Sequence, residues 1–225
     1  MSAHAQTTPS SAIPKVVGIT GASGYIGQQL TRRLLQEPAI HRIVGIDVKP
    51  SAIRDPRFCM LIRDINSPLS DLFRRTGIEA LVHLAFSLRQ SRKRSAQRKT
   101  NIEGTLNLLK GAEDANVPRL ILMSSSTVYG PHPENPYRMT EGVSIKPPGG
   151  FSYAEDKAEC ECYFREFQAR RASVEVSILR ACVVMGPHAD NFITTALDKP
   201  FLIGIRGADP LMQFVHEEDL TRVLF

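Results

Sequence analysis

The sequence predicts an α/β fold built on a doubly wound parallel sheet. Short apolar runs alternate with longer helical stretches from Lys15 onward. A glycine-rich turn follows the first apolar run, and an aspartate ends the second. Strands this apolar need helices on both faces, and sheets of this kind bind ligands at the carboxyl ends of their strands.

The hydrophobic pattern places six strands and at least four helices in order along the chain. The predicted strands are 15–20, 42–47, 58–62, 79–84, 119–124 and 174–179. The predicted helices are 25–36, 95–114 and 152–170. A further helix is expected to begin at Asn66, whose side chain precedes Pro68 as a cap would. The proline- and glycine-rich stretch 130–150 predicts a long loop of the kind that often carries function.

A length of 225 residues suggests one large domain with a small addition. The small, polar residues at the start predict a flexible tail over 1–13 rather than a signal peptide. We expect a nucleotide-binding domain with the catalytic residues over 14–186, and part of a substrate-binding region over 187–225. No apolar run is long enough to cross a bilayer, so the expected location is cytoplasmic, with no membrane partner.

Basic residues are concentrated between Glu79 and Glu103, with no acid among them. They are Arg89, Arg92, Lys93, Arg94, Arg98 and Lys99. Such a stretch attracts a diphosphate, an acidic partner or nucleic acid, or it is the solvated start of a helix, which we favour. No aromatic residues are interleaved for base stacking, so nucleic-acid binding is not expected. The four cysteines have no partners at zinc spacing, so no metal site is expected.

The glycine turn reads TGASGYIG over 20–27, between a strand and a helix. Glycines in this position permit a tight turn and let the backbone approach a dinucleotide pyrophosphate at the helix N-terminus. Asp47 ends the second strand, where a carboxylate accepts hydrogen bonds from ribose hydroxyls and repels a 2′-phosphate. NAD is therefore favoured over NADP, although Lys49 and Arg54 lie nearby. Asp64, after the third strand, is expected either to touch the adenine edge or to cap the next helix.

Seven motifs occur in the order of a known family. They are TGxxGxxG at 20–27, HLAF at 83–86, NxxGT at 101–105, SSSTVYG at 124–130, YxxxK at 153–157, LR to GP at 179–187 and FVHxxD at 214–219. On these motifs the chain resembles the extended short-chain dehydrogenase/reductases, the family of NAD-dependent epimerases and dehydratases. The resemblance implies a Rossmann fold with NAD as cofactor, and a C-terminal substrate lobe that is small or truncated here.

The resemblance also implies a set of cofactor-binding residues along the strand ends. These are Gly21, Ser23, Gly24, Tyr25, Ile26, Gly27, Asp47, Asp64, Ile65, Leu84, Ala85, Tyr153 and Lys157. His83 is expected to shape the cofactor pocket and Tyr129 to pack. His216 and Asp219 are expected to join the late segment to the nucleotide domain.

Tyr153 and Lys157 are four residues apart, so they share one face of a helix. An ammonium near a phenol lowers the pKa of the phenol, so Tyr153 is expected to exchange a proton with a substrate oxygen. The resemblance adds Ser125, which polarises the substrate oxygen, and Asn101, which borders the site. It also has Lys157 contact the nicotinamide ribose. Asp156 is expected either to tune Lys157 or to face solvent.

These residues predict an NAD-dependent oxidoreductase or epimerase acting on a secondary alcohol or ketone, with a nucleotide sugar as the implied small-molecule substrate. Dehydration is not expected, because Ser126 and Thr127 stand where the dehydratases of that family carry Asp-Glu. The choice between epimerase and dehydrogenase stays open. A non-catalytic NAD(H)-binding sensor or scaffold is the alternative. The resemblance further implies a homodimer through the helices that carry Asn101 and Tyr153.

Overall fold

A six-stranded, all-parallel sheet forms the centre of the molecule. The computed structural model describes residues 13–87, 94–189, 191–201, 204, 206–207 and 211–225. The strands are β1 (Val16–Thr20), β2 (Arg42–Asp47), β3 (Phe58–Ile62), β4 (Ala80–His83), β5 (Arg119–Ser125) and β6 (Glu175–Ala181). Their order is β3-β2-β1-β4-β5-β6, so the winding reverses between β1 and β4. The doubly wound sheet is confirmed, and its reversal point is where such folds bind ligands.

Helices cover both faces of this sheet. They are α1 (Tyr25–Leu35), α2 (Ser70–Thr76), α3 (Arg94–Arg98), α4 (Gly104–Asp114), α5 (Ser152–Arg170), α6 (Phe192–Leu197) and α7 (Glu217–Leu224). Neighbouring strand residues point to opposite faces, and in β2 Ile43 joins the core under α1 while Val44 joins the core under α4 and α5. Among the described residues, no helix combines the length and apolar character that a membrane span requires.

Two helix predictions need correction. The helix expected to begin at Asn66 begins at Ser70 instead and has no side-chain cap. Asn66 does not act as the cap, since its side-chain oxygen, the atom that a cap would use, has no hydrogen-bond partner in the described part of the chain. Its backbone N–H and side-chain amide instead donate to Asp64 Oδ1, at 2.9 and 3.0 Å. The long helix predicted over 95–114 is interrupted by a π-helical segment, Lys99–Glu103, which separates α3 from α4.

The C-terminal segment packs partly on the nucleotide-binding domain. A second, two-stranded parallel sheet pairs β7 (Val183–Met185) with β8 (Phe214–His216). The helix α7 then lies against α1, and its residues Leu220 and Leu224 belong to the same buried cluster as Leu30 and Leu34. The last helix is therefore part of this core, whereas the substrate-binding role of 187–225 stays a prediction.

The packing of α7 on α1 predicts how two substitutions in α7 change the stability of the protein. Leu220→Ala removes a side chain that is only 3% exposed, so we expect the free energy of unfolding to fall by about 2–5 kcal/mol. Val223→Ala, at a position 68% exposed on the same helix, is the matched control and should change it by less than about 0.5 kcal/mol. Urea unfolding of both variants measures the difference. Equal effects would mean that α7 does not pack on α1 in solution.

Candidate active site

The glycine turn brings three backbone segments into close contact. Gly21 has φ of 74°, and a Cβ added to it would lie 2.6 Å from the backbone nitrogen of Ala85, beyond β4. A Cβ on Gly27 would lie 2.3 Å from the carbonyl oxygen of Gly21. Only glycine allows this approach of α1 to β1 and β4.

Gly24 is less crowded, because an added Cβ would meet one atom instead of several. It flanks the start of α1 in an ordinary extended conformation, φ −71° and ψ 169°, with no side-chain cap. A Cβ there would meet only the carbonyl oxygen of Gly21, at 3.2 Å. Gly24 and the first turn of α1 line a pocket, so the positive end of the helix is available to an anion there. This cradle fits a dinucleotide pyrophosphate.

Asp47 holds the glycine turn against the end of β2. Its Oδ2 accepts a hydrogen bond from the backbone N–H of Ser23 at 3.0 Å, and its Oδ1 accepts one from the backbone N–H of Lys49 at 3.1 Å. The hydroxyl of Ser23 donates to the Lys49 carbonyl at 2.7 Å. Arg54 donates to the carbonyls of Ser51 and Ile53 in its own loop. Asp47 thus lies beside the glycine turn, as predicted. Of the two nearby bases, Arg54 is engaged by carbonyls of its own loop.

Asp64 and Ile65 lie at the end of β3. Asp64 does not cap α2, because its carboxylate closes the local turn onto Asn66. The Ile65 side chain is only 4% exposed and packs against Gly104 of α4. Any contact of Ile65 with a cofactor must therefore come from its backbone, and the adenine contact of Asp64 stays a prediction.

One pocket contains most of the predicted cofactor residues and the catalytic hydroxyl. Of the predicted set, it is lined by Gly21, Gly24, Tyr25, Ile26, Gly27, Leu84, Ser125, Tyr153 and Lys157. Ala85 is placed directly behind Gly21, where its backbone N–H donates to Thr20 Oγ1 at 3.3 Å. The carboxyl ends of β1, β4 and β5 thus bring together residues that are far apart in the sequence.

Tyr153 and Ser125 meet in this pocket. Tyr153 lies in the first turn of α5 and Ser125 ends β5. Ser125 Oγ accepts hydrogen bonds from the N–H and the hydroxyl of Thr127, at 3.3 and 3.0 Å, which leaves its own proton to donate. Burial raises the pKa of Tyr153, and the hydrogen bond with Ser125 opposes that rise.

Lys157 does not lower the pKa of Tyr153 in this arrangement, so that expectation is wrong. Its ammonium lies 6.0 Å from the centre of the Tyr153 ring and donates to the Met123 carbonyl at 2.6 Å. The ring of Phe86 packs beside both groups, 3.8 Å from the ammonium and edge-on to the Tyr153 ring at 5.5 Å. Burial lowers the pKa of Lys157 to about 8. Sequence reasoning missed this role of Phe86, whose one signal was its place at the end of the HLAF motif.

Asn101 is buried in the π-helical segment, and its side chain is fully engaged. Its Oδ1 accepts from the Ser87 N–H at 2.8 Å, and its Nδ2 donates to Asp156 Oδ2 at 3.0 Å. It positions the chain after β4, and does not line the pocket. Interrupted helices of this type are frequent at functional sites.

Asp156 neither faces solvent nor tunes Lys157, since it is 2% exposed and pairs with Arg98 at 3.3 Å.

The described part of the basic stretch pairs with acids of α5. Arg94 contacts Glu155 at 2.5 Å, and Arg98 contacts Glu159 at 2.7 Å as well as Asp156. These contacts favour a structural role for the two arginines. Arg89, Arg92 and Lys93 lie outside the described residues.

Two buried polar groups support the strand ends. His83 lies between the hydroxyls of Thr20 and Thr105, at 2.7 and 3.0 Å, and burial lowers its pKa to about 3, so it is neutral. Glu161, fully buried, accepts from Ser124 Oγ at 2.6 Å and pairs with Arg180 at 2.8 Å. Sequence reasoning missed Glu161, although its position four residues after Lys157 puts it on the same helix face.

The remaining predicted contacts are structural. Tyr129 is buried and its hydroxyl accepts from Arg180 at 2.6 Å. The side-chain hydrogen bonds of His216 and Asp219 stay within α7 and its cap. The polar contact with the nucleotide domain is made by Glu217, which accepts a hydrogen bond from the hydroxyl of Tyr25. Over the described residues, no group of histidine, cysteine or acidic side chains is arranged to hold a metal ion.

The motifs and the geometry agree with a comparison to known families, which matches residues 17–225. The chain belongs to the NAD dependent epimerase/dehydratase family. The cofactor predicted from the glycine turn and Asp47, NAD, is the cofactor of that family.

Three relatives place the chain within this family. A Mycobacterium tuberculosis protein of unstated function is 32% identical over 94% of this chain and 58% of its own length. The Vibrio cholerae UDP-glucose 4-epimerase is 26% identical over 78% of this chain and 53% of its own length. The crystal structure of DesIV, a dTDP-glucose 4,6-dehydratase from Streptomyces venezuelae with NAD and TYD bound, superposes with a TM-score of 0.76 at 28% identity, covering 93% of this chain and 70% of that one. The chain thus spans little more than half the length of the Mycobacterium tuberculosis and Vibrio cholerae proteins.

The burial of Lys157 predicts how the free energy of unfolding changes with pH. Its pKa is about 8 in the folded protein and about 10.4 in an unfolded chain, so between these values only the unfolded chain binds the proton. The stability of the wild type relative to Lys157→Met should therefore rise with pH from about 8 to 10.4, by on the order of 3 kcal/mol. Urea unfolding of both proteins across this range measures the difference. A flat difference curve would contradict the burial of the ammonium.

Proposed function

We propose that this chain binds NAD(H) and supports hydride transfer at a secondary alcohol or ketone, with a nucleotide sugar as the substrate. The observation that carries the proposal is the shared pocket, in which Ser125, Tyr153 and Lys157 face the glycine turn. The family and the nucleotide-sugar enzymes among its relatives support the substrate class. Because the chain spans only part of those relatives, the activity of a whole protein is part of the proposal.

The glycine turn would hold the cofactor pyrophosphate on the N-terminus of α1, and Asp47 would accept hydrogen bonds from a ribose. Bound NAD supplies a carbon that accepts a hydride and returns it. The ammonium of Lys157 donates to the Met123 carbonyl, and its movement away from that oxygen would bring it to the nicotinamide ribose.

As a phenolate, which the ammonium of Lys157 would favour once it has left the Met123 carbonyl, Tyr153 would take the proton of the substrate hydroxyl. The hydride would leave the carbon that bears this hydroxyl, and that carbon becomes a carbonyl carbon. The Ser125 hydroxyl would donate a hydrogen bond to that oxygen throughout. Return of the hydride to the opposite face gives an epimer, and release of the ketone with the reduced cofactor gives a dehydrogenase reaction. Dehydration is not proposed, because the hydroxyls of Ser126 and Thr127 cannot serve as the required acid and base.

A non-catalytic NAD(H)-binding module is the second candidate. The observation that favours it is the 6.0 Å between the Lys157 ammonium and the centre of the Tyr153 ring, with the ammonium bonded to the Met123 carbonyl instead.

A homodimer through the helices that carry Asn101 and Tyr153 is a further proposal, supported by Leu106 of α4, which is apolar and 42% exposed. The division of the chain at 186 into a nucleotide-binding and a substrate-binding part is likewise proposed.

The test is incubation with NAD⁺ and UDP- or dTDP-hexoses, followed by proton NMR of the sugar and by nicotinamide absorbance. We expect an epimer or a keto sugar, and we expect Tyr153→Phe to lower kcat at least about 100-fold while NADH binding stays within about threefold. Tyr163→Phe, which removes a hydroxyl on the same helix bonded only to Glu159, is the matched control.

NADH binding without turnover of any alcohol would favour the sensor module. Turnover that survives in Tyr153→Phe would contradict the assigned proton transfer.

A further inference from the structure

A buried carboxylate, Glu217, connects the cofactor turn to the C-terminal segment. It stands in the first turn of α7 and is only 4% exposed. Its Oε2 accepts a hydrogen bond from the hydroxyl of Tyr25, the first residue of α1. Its Oε1 contacts His188 Nδ1 at 2.7 Å. One side chain therefore engages two segments that are far apart in the sequence.

The loop after β7 is shaped around this carboxylate. A Cβ added to Gly186 would lie 2.6 Å from the Cγ and Cδ atoms of Glu217, so the loop passes directly over the acid. Farther along, the Asn191 side chain donates to the Val184 carbonyl at 2.8 Å and caps α6. The loop is thus fixed to Glu217 at one end and to β7 at the other.

One of the two segments that Glu217 engages is a wall of the cofactor pocket. Tyr25 lines the pocket together with the glycine turn, whereas Gly186 and His188 are not among its lining residues. The hydroxyl of Tyr25 is directed to Glu217, so it is not free to bind a phosphate. What Tyr25 offers a cofactor is its ring and its backbone N–H, and the position of both depends on that hydrogen bond.

The charge of Glu217 is compensated where it stands. Burial alone would raise its pKa, but the hydrogen bonds from Tyr25 and His188 hold the pKa below its usual value. An ionised carboxylate beside a pyrophosphate site would repel the ligand if it were unpaired. Here the carboxylate of Glu217 accepts hydrogen bonds from Tyr25 and His188, and its role is to hold these two side chains in place.

We propose that Glu217 is a positioning residue for the cofactor, which fixes Tyr25 at the pyrophosphate end of the pocket. The proposal rests on the NAD(H) site of the proposed function. It assigns Glu217 no contact with the cofactor or with the reacting atoms.

The test is a double-mutant cycle on NADH binding, with Tyr25→Phe, Glu217→Gln and the double variant, measured by nicotinamide fluorescence well below the unfolding temperature. Each single variant should weaken NADH binding roughly tenfold, because the released Tyr25 side chain must be ordered again when the cofactor binds. The double variant should be no weaker than the singles, because Glu217 acts through Tyr25. Glu218→Gln, at the exposed neighbouring position, should bind as the wild type does.

Competition with ADP-ribose and with adenosine locates the effect. The affinity for ADP-ribose, which has the pyrophosphate, should fall as the affinity for NADH does, and that for adenosine should not change. Unchanged NADH affinity in both Tyr25→Phe and Glu217→Gln, or an equal loss for adenosine, would overturn the proposal and leave Glu217 a role in packing α7 alone. If the wild type itself fails to bind NADH, the proposed function falls first, which is a different result from wild-type binding with unaffected variants.

Discussion

The close approach of α1 to the carboxyl ends of β1 and β4 is the constraint on which the rest of this structure depends. Gly27 lets the helix pack where any side chain would meet the Gly21 carbonyl at 2.3 Å, and Gly21 itself adopts a positive φ against the backbone of Ala85. Since the helix begins at the point where the strand order reverses, its N-terminus faces the crevice in the sheet. The position of the anion site follows from this packing alone.

The other parts of the site are placed relative to that turn by buried polar contacts. Asp47 binds the backbone of the turn itself, and Glu217 binds Tyr25 at the start of the helix. On the far side of the pocket, Glu161 fixes α5 to the end of β5 through Ser124, so that Tyr153 stays beside Ser125. Buried polar groups of this kind cost free energy unless every partner is present, and here the partners come from different strands and helices. The pocket is therefore coupled to the whole core.

The sequence predicts what is local and misses what depends on distant partners. The strands 42–47 and 58–62 and the helix 152–170 agree with the structure to the residue, because each has a continuous pattern of its own. The burial of Asp156 is not predicted, because it depends on Arg98, 58 residues away. The role of Glu217 is not predicted either, because its partner Tyr25 is 192 residues away. The lowered pKa of Lys157 likewise comes from its burial by the folded core, which no spacing rule supplies.

The most direct test of this account compares two glycines of the same turn. Gly24→Ala adds a methyl group in the pocket without backbone strain, whereas Gly27→Ala adds one between α1 and β1. Calorimetric titration with NADH, together with thermal unfolding, should show that Gly24→Ala keeps the stability of the wild type but loses NADH binding, and that Gly27→Ala loses stability. Wild-type affinity for NADH in a folded Gly24→Ala protein would contradict the assignment of the pyrophosphate to this turn.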